Sequence, residues 1–503
     1  ESADIDFENF GPNPPTKEDL KGLRLAWVIH TPPGSRALEA SKAIDKMISM
    51  AVMTEKGEND SPITRAKGLP VSLSWGRQDE LFVMAIGEGV GEAILAKNPG
   101  EPNEDFVKIR RQVTGGEEPL SLLHIEYSEM MSLVQQASAV VDTSQYSENE
   151  WKRLKKSIPS ISYASSAEGN GIKDRTAMPI GEDSFIQTDV SLTLEDLSLV
   201  PEDALALVAF TGDFASNFDQ MNEYMEEEAL TQMKELEAEL GVNIEEDIVA
   251  HLGDKGFFYL PEWEDTRDYP DPVILFELSA SEAFRSSLAT IFDRLKEDIA
   301  NNEEFTIISG EYNGHLVKTL KFADDSIPFS PSWTVSDKFF ALSGTKEGLK
   351  SAFDQIKSGN GSIMKSSDFM EAYDSVRKKD FVSLYYIATG MKEYLINVLY
   401  EDLLPKYEEL ESNFVEKLEF DPASLPSAES LKKHMFPTMH ITYCRDDMMF
   451  SEGYGPFGGA TSHAKGAMMS VFPTSAFSGF MAAQQMQADM DGGEGLENSE
   501  KRE

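Results

Sequence analysis

The sequence predicts an α+β fold made of two homologous repeats, each a mainly antiparallel sheet covered by helices. Three observations lead to this prediction. Short apolar segments typical of strands alternate with longer segments whose apolar residues recur at helical spacing. Turn-forming residues separate neighbouring strand segments, which favours hairpins. Finally, a set of residues recurs in the same order roughly 260 to 280 positions later along the chain.

The recurrence is clearest around a Ser-Trp pair. Ser74-Trp75 returns as Ser332-Trp333, and each pair is followed by an aspartate and an apolar strand. Further downstream, Ser121–Ile125 matches Ser383–Ile387. The other matched residues, first copy then second, are Asp79 and Asp337, Asp105-Phe106 and Asp368-Phe369, Val113 and Val376, Pro159 and Pro437, Tyr163 and Tyr443, and Pro179 and Pro456. Because most of these are packing and turn residues, the repeat predicts a structural scaffold.

Each repeat begins with an apolar strand, at Leu23–Val28 and at Val273–Leu278, that leads into an amphipathic helix. In the second copy, Ser279 and Glu282 have the spacing of a capping box at the start of that helix. The apolar stripe of the helix consists of Phe284, Leu288, Ile291, Leu295 and Ile299. A hairpin with a tight turn is expected next, and then further helices and strands.

The two copies are not equal. The second has a hairpin, Phe305–Ile308 with Leu316–Leu320 turned at Asn313-Gly314, for which the first shows no counterpart. A block at Pro201–Leu260 also precedes it, and nothing before Leu23 matches this block. The block contains a helical stripe that stops at Gly241 and consists of Met225, Ala229, Met233, Leu236 and Leu240. Either the first copy has lost its equivalent, or the block is an element shared by both halves.

These features divide the chain into five parts. They are an acidic arm at 1–20, the first repeat at 21–190, the extra block of the second repeat at 197–262, the second repeat at 263–460, and an apolar segment with an acidic tail at 461–503. Two repeats agree with the two to four domains expected of 503 residues at roughly 150 residues per domain.

The charge balance narrows the class of partner. The chain carries 88 acidic and 45 basic side chains, a formal net charge of −43. Nucleic acid is excluded as a partner, because its binding depends on lysine and arginine neutralising phosphates. An anionic membrane surface is disfavoured for the same reason. Solubility in a salty or extracellular setting, divalent cation binding and recognition of a basic partner all fit the charge.

No catalytic or cofactor-binding residue is predicted. Gly87–Gly91 lies between a strand and a helix, but its spacing fits neither the dinucleotide nor the P-loop pattern, so a plain turn is favoured. The seven histidines show no metal-ligand spacing. Asp489, Asp491 and Glu494 partly resemble a calcium loop, which predicts weak calcium affinity at most. Cys444, the single cysteine, excludes an internal disulfide and is expected to be a buried, inert thiol.

The ends of the sequence favour an exported protein. It begins Glu1-Ser2 with no initiator methionine, as expected of a mature product whose signal peptide has been removed. No stretch reaches the roughly 18 uncharged apolar residues of a membrane helix. The nearest, Ala467–Ala483, is interrupted by Pro473.

Four stretches resemble a known family: Val200–Leu205, Gly241–Asp247, Leu252-Gly253 and Trp333–Gly344. In these stretches the chain is similar to a duplicated family of uncharacterised bacterial secreted or envelope proteins, a domain of unknown function. The resemblance covers most of the chain. It implies a secreted, periplasmic or cell-envelope location in a bacterium, and it implies no site residue.

The function predicted from these observations is that of a non-enzymatic exported protein, an envelope or extracellular interaction or assembly module. Its partner is expected to be another protein or a second copy, with peripheral association with the envelope left open. The segment expected to make the contact contains Met468, Met469, Val471, Phe472, Phe477, Phe480 and Met481. Two alternatives stay open. One is a periplasmic carrier of lipid or another apolar ligand, because 22 Met and 29 Phe are enough to line a cavity. The other is a hydrolase with a site between the repeats.

Overall fold

The computed structural model describes sixteen stretches of the chain. These are residues 25–31, 33–51, 53–56, 62–67, 72–95, 104–116, 119–125, 160–180, 190–222, 227–262, 271–294, 305–323, 327, 329–358, 361–404 and 425–456. The chain divides into two compact units: unit 1, up to residue 184 with 445–450, and unit 2, from 185 to 444 and from 451 onwards. Each unit is α+β with antiparallel sheets, as the sequence predicts.

Unit 1 contains eight strands and three helices among its described residues. In chain order they are β1 (Leu25–His30), α1 (Arg36–Ala51), β2 (Thr54–Lys56), β3 (Ile63–Ala66), β4 (Leu73–Gln78), β5 (Leu81–Ile86), α2 (Val90–Leu95), α3 (Glu104–Thr114), β6 (Ser121–Ile125), β7 (Ile161–Glu168) and β8 (Gly171–Pro179). Five strands form a sheet in the order β1-β5-β4-β3-β2, and the other three are joined in the order β6-β7-β8. The core of the five-stranded sheet is built from Ile63, Val83, Ala85 and Leu95.

Unit 2 has ten strands among its described residues. Its elements are β9 (Ala206–Thr211), α4 (Phe214–Asn222), α5 (Glu227–Leu240), β10 (Leu252–Leu260), β11 (Val273–Leu278), α6 (Ser281–Arg294), β12 (Phe305–Tyr312), β13 (His315–Phe322), β14 (Ser332–Val335), β15 (Phe339–Ser343), α7 (Lys346–Ser358), α8 (Ser367–Val376), β16 (Ser383–Ile387), α9 (Thr389–Asn397), α10 (Ala428–Lys432), β17 (Thr438–Arg445) and β18 (Met448–Gly455). Short 3₁₀ turns lie at Leu194–Leu199, Val249–His251 and Ile363–Lys365, and π-helical turns at Ile244–Ile248 and Val398–Leu403. The strands are ordered β12-β13-β14-β15-β11-β10-β9-β16-β17-β18.

The tight turns lie where the sequence predicts them. Asn313 and Gly314 have φ angles of 53° and 86°, the left-handed pair that a type I′ turn requires between β12 and β13. Asp79, between β4 and β5, has a φ of 53°. Short polar side chains tolerate this region better than others, which explains an aspartate at that turn. These turns fix the register of both hairpins.

The same order of elements occurs in both units. After the first strand and helix come four strands, two helices and three strands, from β1 to β8 and again from β11 to β18, with further helical segments in the second series. The register agrees as well, because Trp75 pairs with Met84 as Trp333 pairs with Leu342. The matched hairpins therefore have their Ser-Trp pairs at equivalent ladder positions.

Two details of the predicted alignment are wrong. The hairpin of β12 and β13 is not an addition, because β2 and β3 occupy the same place beside β4 that it occupies beside β14. The sequence pattern did not indicate this counterpart, because β2 is only three residues long, Thr-Glu-Lys, and fully exposed. The match of Tyr163 with Tyr443 also fails. Tyr163 pairs with Leu123, whereas His440 pairs with the equivalent residue of β16, Tyr385.

Of two predictions about helix ends, the stop at Gly241 is confirmed and the capping box at the start of α6 is wrong. Four residues of the predicted stripe, Ala229, Met233, Leu236 and Leu240, lie in α5, whereas Met225 lies outside the described residues. Gly241 ends the helix with a φ of 71°, the conformation of a helix C-terminus. The predicted capping box at α6 is wrong. The Ser279 hydroxyl donates to the carbonyl of Ala250 at 3.3 Å, and Phe284 N–H donates to the carbonyl of Ala280 at 3.0 Å. The helix therefore begins after Ser279, whose side chain is hydrogen-bonded to the 3₁₀ turn at Val249–His251.

The block at 201–260 is an integral part of the unit 2 sheet. Its two strands pair with each other, β10 pairs with β11, and β9 pairs with β16. They therefore separate β11 from β16 by two strands. The described residues of unit 1 contain no counterpart of β9 and β10, which is the main difference between the two series of strands.

Candidate interaction site

Two strands of unit 1, β1 and β6, are sheet edges. β1 pairs only with β5, and β6 pairs only with β7, among the residues whose positions are described. Some Cα atoms of β1 and β6 lie within 8 Å of one another, but the strands belong to different ladders. Each strand therefore has one side without a ladder partner among the described residues, with which a further strand can pair once β1 and β6 separate.

The equivalent strands of unit 2 are interior strands. β11 lies between β15 and β10, and β16 lies between β17 and β9. By ladder position, Val28 of β1 is equivalent to Leu275 of β11, since they pair with Val83 and Ala341 in turn. Val28 is 37% exposed, whereas Leu275 is 0% exposed. The apolar residue at this position is thus covered in unit 2 and partly open in unit 1.

The surroundings of the two edges are apolar. Trp27, next to Val28, is 51% exposed, although tryptophan is usually well buried in folded proteins. Leu120 and Leu123, beside and within β6, are 57% and 37% exposed. β1 itself reads Leu-Ala-Trp-Val-Ile-His, with none of the lysine or proline residues that normally protect an edge strand. We call β1 and β6, together with Leu120, the open edges.

Peptide recognition by strand addition uses surfaces with these features. A segment in extended conformation adds to a free edge through main-chain hydrogen bonds, and its alternate side chains cover exposed apolar residues. The affinity comes from the backbone and the specificity from the side-chain contacts. No acid, base or nucleophile is needed for this activity.

The buried polar groups near the helices of unit 2 have structural roles. Asp271, 5% exposed, accepts hydrogen bonds from the hydroxyls of Ser343 at 2.9 Å and Thr345. Thr345 in turn accepts from the N–H of Gly348 at 3.1 Å, in the first turn of α7. A Cβ at Gly348 would lie 2.3 Å from a carboxylate oxygen of Asp271. Glycine is therefore required here, and the carboxylate fixes the start of the helix, where negative charge is favourable.

A buried ion pair connects Lys378, two residues after the end of α8, to β18. Glu452, 2% exposed, accepts from Lys378 Nζ at 2.9 Å and from the hydroxyl of Tyr443 at 2.6 Å. The ammonium group also lies 4.8 Å from the centre of the Tyr443 ring. The carboxylate is thus charge-compensated and hydrogen-bonded, as a buried charge must be.

Lys392 of α9 has oxygen partners and no ion-pair partner among the described residues. Its Nζ donates to the carbonyl of Phe436 and to the hydroxyl of Thr438, and it lies 5.8 Å from the centre of the Phe436 ring. Burial lowers the pKa of this ammonium group to about 8. Desolvation disfavours the charged form, and no carboxylate offsets it.

This lowered pKa predicts a specific pH dependence of stability. Between about 8 and the ordinary lysine value of 10.5, the unfolded state binds more protons at this residue than the folded state. The contribution of Lys392 to the free energy of unfolding should therefore rise with pH through that window and stay constant below pH 7. Urea titrations from pH 7 to 10.5 should show the wild type gaining stability relative to Lys392→Met. A constant difference would mean that the amine titrates normally.

A small polar pocket lies in unit 1 beside the end of α3. Its volume is about 110 Å³, below the roughly 300 to 1,000 Å³ of sites for drug-sized ligands. The lining residues are Val113, Thr114, Gly115, Pro119, Ala164, Ser165, Ser166, Lys173, Asp174 and Arg175. Asp174 accepts from the hydroxyl of Tyr163 at 2.6 Å, and Arg175 Nη1 donates to the carbonyl of Gln112 at 3.2 Å. These contacts tie α3 to β7 and β8.

The structure places the other sequence-predicted residues as follows. Gly87 to Gly91 form a turn and the start of α2, as predicted. Cys444 lies in β17, and burial raises the pKa of its thiol to about 11, which keeps it protonated. In the described stretches, no group of three or more His, Cys, Asp or Glu side chains is placed to hold a metal ion. The interaction residues predicted at 468–481 and the acidic residues at 489–494 lie outside the described residues, as do the parts at 1–20 and 461–503.

The open edges were missed by sequence reasoning. Trp27 and Val28 were counted only as part of a core strand. The sequence did show that the block at 201–260 has no match in the first copy, but the position of this block in the sheet depends on the strand order. Only that order shows that the block fills the place between β11 and β16.

No family model, no curated protein and no solved structure matches the chain. Within the described ranges, no helix is both long and apolar enough to cross a membrane.

Proposed function

We propose that this chain is a protein-interaction module that binds an extended segment of a partner polypeptide at the open edges of unit 1. The observation that carries the proposal is the contrast between Val28, 37% exposed on an edge, and Leu275, 0% exposed in the equivalent interior position. A strand added to β1 would cover part of the exposed surface of Val28. The proposal assigns no catalytic residue.

We also propose that β1–β8 and β11–β18 derive from a duplicated ancestral unit. Support comes from the shared order of elements and from the identical register of the Ser-Trp hairpins. Under this proposal β1 and β6 have inherited the side chains of interior strands. Their apolar character is then explained by descent as well as by binding.

The partner segment should be apolar with basic flanks. The edge is uncharged apart from His30, whereas the chain as a whole has a formal net charge of −43. Long-range attraction would steer a positively charged partner toward this surface, and the apolar contact would then hold it. A secreted or envelope location in a bacterium, which the family resemblance implies, belongs to the same proposal.

A peptide taken from unit 2 tests the proposal. Residues 252–261 include the strand that covers β11, so a fluorescent peptide of this sequence with two added lysines should bind the full chain. Lysine on an edge strand opposes strand addition. Fluorescence anisotropy should therefore show a loss of affinity of about tenfold or more for Val28→Lys, because the charge would be buried under the added strand.

Leu316→Lys is the matched control. Leu316 is an apolar strand residue that is 59% exposed, but it lies on β13 of unit 2 and belongs to neither open edge. It introduces the same charge, and it should leave the affinity unchanged. No binding to the wild type, or equal loss in both variants, would rule the proposed site out.

A further inference from the structure

We propose that the partner enters unit 1 as two antiparallel strands that lie between β1 and β6, as β10 and β9 lie between β11 and β16. This inference rests on the proposed function and specifies the partner segment, which is a pair of strands. One partner then pairs with both open edges. As a result, the two separate ladders of unit 1 are joined into one.

The first support is the strand order of unit 2. In unit 2 the strands equivalent to β1 and β6 are joined by two strands and by no other element. β11 and β16 run in opposite directions, because three antiparallel pairings connect them. If β1 and β6 run as β11 and β16 do, a single strand between them would be antiparallel to one and parallel to the other. A strand pair is antiparallel on both sides, and it reproduces an arrangement that this chain already forms.

The second support is the side-chain pattern that unit 2 places there. Leu275 pairs with Phe257, which is 1% exposed, so the partner residue opposite Val28 is expected to be large and aromatic. On the other side Leu384, the equivalent of Leu122, pairs with Ala209. The second partner strand is therefore expected to have a small residue opposite Leu122. This pattern distinguishes the partner from extended peptides in general.

The strand pair requires the two edges to move apart. β1 and β6 approach within 8 Å, whereas strands with two others between them are three spacings apart, about 14 Å. Binding should therefore increase their separation by about 6 Å or more. A single strand between them requires less movement, because two spacings are about 10 Å, an increase of about 2 Å.

The test uses a synthetic hairpin that joins residues 204–212 to residues 254–261 through an Asn-Gly turn. In unit 2 these segments already pair, with Lys255 opposite Thr211 and Leu260 opposite Ala206. Nitroxide labels are attached to Leu81→Cys and Leu120→Cys in the full chain with Cys444→Ala. Leu81 is on β5 beside β1, Leu120 directly precedes β6, and both side chains are exposed. Pulsed electron paramagnetic resonance then measures the distance between the labels.

The expected result is binding with a label distance that grows by about 6 Å or more. A hairpin carrying Phe257→Asp should bind at least tenfold more weakly, because its charge would face Val28. Binding of the hairpin with an unchanged distance, or binding of the single 252–261 peptide without any binding of the hairpin, would overturn this inference and leave the proposed function standing. If neither peptide binds, both proposals fall. If the hairpin binds only a chain that begins at residue 21, residues 1–20 are the natural occupant and a separate partner is ruled out.

Discussion

Replacing Trp75 by alanine should lower the free energy of unfolding of unit 1 by about 4 kcal/mol. Trp75 is 0% exposed, and its indole N–H donates to Asp45 of α1 at 2.7 Å. The alanine variant leaves a large cavity between the sheet and the helix and removes this hydrogen bond. Native-state hydrogen exchange of the β4 and β5 amides would report the loss for this unit separately.

Two variants separate the causes of that loss. Trp75→Phe keeps most of the apolar burial but loses the N–H, so it should cost about 1 to 2 kcal/mol. Trp333 occupies the equivalent ladder position in unit 2, but it is half-buried and stacked on Phe292 with a centroid distance of 5.3 Å. Trp333→Ala should therefore cost only about 1 to 2 kcal/mol. Equal losses at Trp75 and Trp333 would contradict the burial argument.

Replacing Glu452 by glutamine should lower the free energy of unfolding of unit 2 by about 3 kcal/mol. The variant keeps the shape of the side chain but leaves Lys378 without the carboxylate 2.9 Å away. Lys378 keeps 26% of its side chain exposed, so water compensates it in part. Lys378→Met should cost more, about 3 to 5 kcal/mol, because it leaves the buried Glu452 carboxylate without its cation. Urea unfolding of each variant, followed by hydrogen exchange in β17, would measure both.

The double variant decides whether the two residues act together. If the ion pair carries the effect, the double variant should be less destabilised than the two single losses combined, by about 2 kcal/mol. Strict additivity would show that each side chain acts through other contacts. Tyr443→Phe is a useful reference, because it removes one hydrogen bond to Glu452 and leaves the ion pair in place.

The parts of the fold that local rules decide could be predicted from the sequence. The turn at Asn313-Gly314 and the stop of α5 at Gly241 follow from backbone conformations that few residues adopt, and the structure shows both. The strand Val273–Leu278 was predicted with its observed bounds, because it is a continuous apolar run. Periodicity and turn chemistry are properties of neighbouring residues, so one sequence is enough to detect them.

What the sequence hides depends on distant residues. β2 is short, polar and exposed, and it is a strand only because β3 pairs with it. The open edges depend on an even longer relation. Whether β1 is an edge is decided by the absence of a neighbour, and no property of its own six residues shows this. Strand order is a tertiary property, and only the structure supplies it.

The pairing of β9 with β16 has a consequence for the time course of folding. About 120 residues separate the end of β10 from the start of β16. A ribosome adds roughly 5 to 20 residues per second, so β9 waits on the order of ten seconds before β16 has been synthesised. During synthesis β9 is thus an apolar edge, Ala-Leu-Val-Ala-Phe-Thr, with one side unpaired. Unit 2 therefore passes temporarily through a state with a strand that lacks one ladder partner, as β1 lacks one among the described residues of unit 1. Long-range pairing of this kind is slow, and a nascent chain at this stage would be a natural client for a chaperone that holds extended strands.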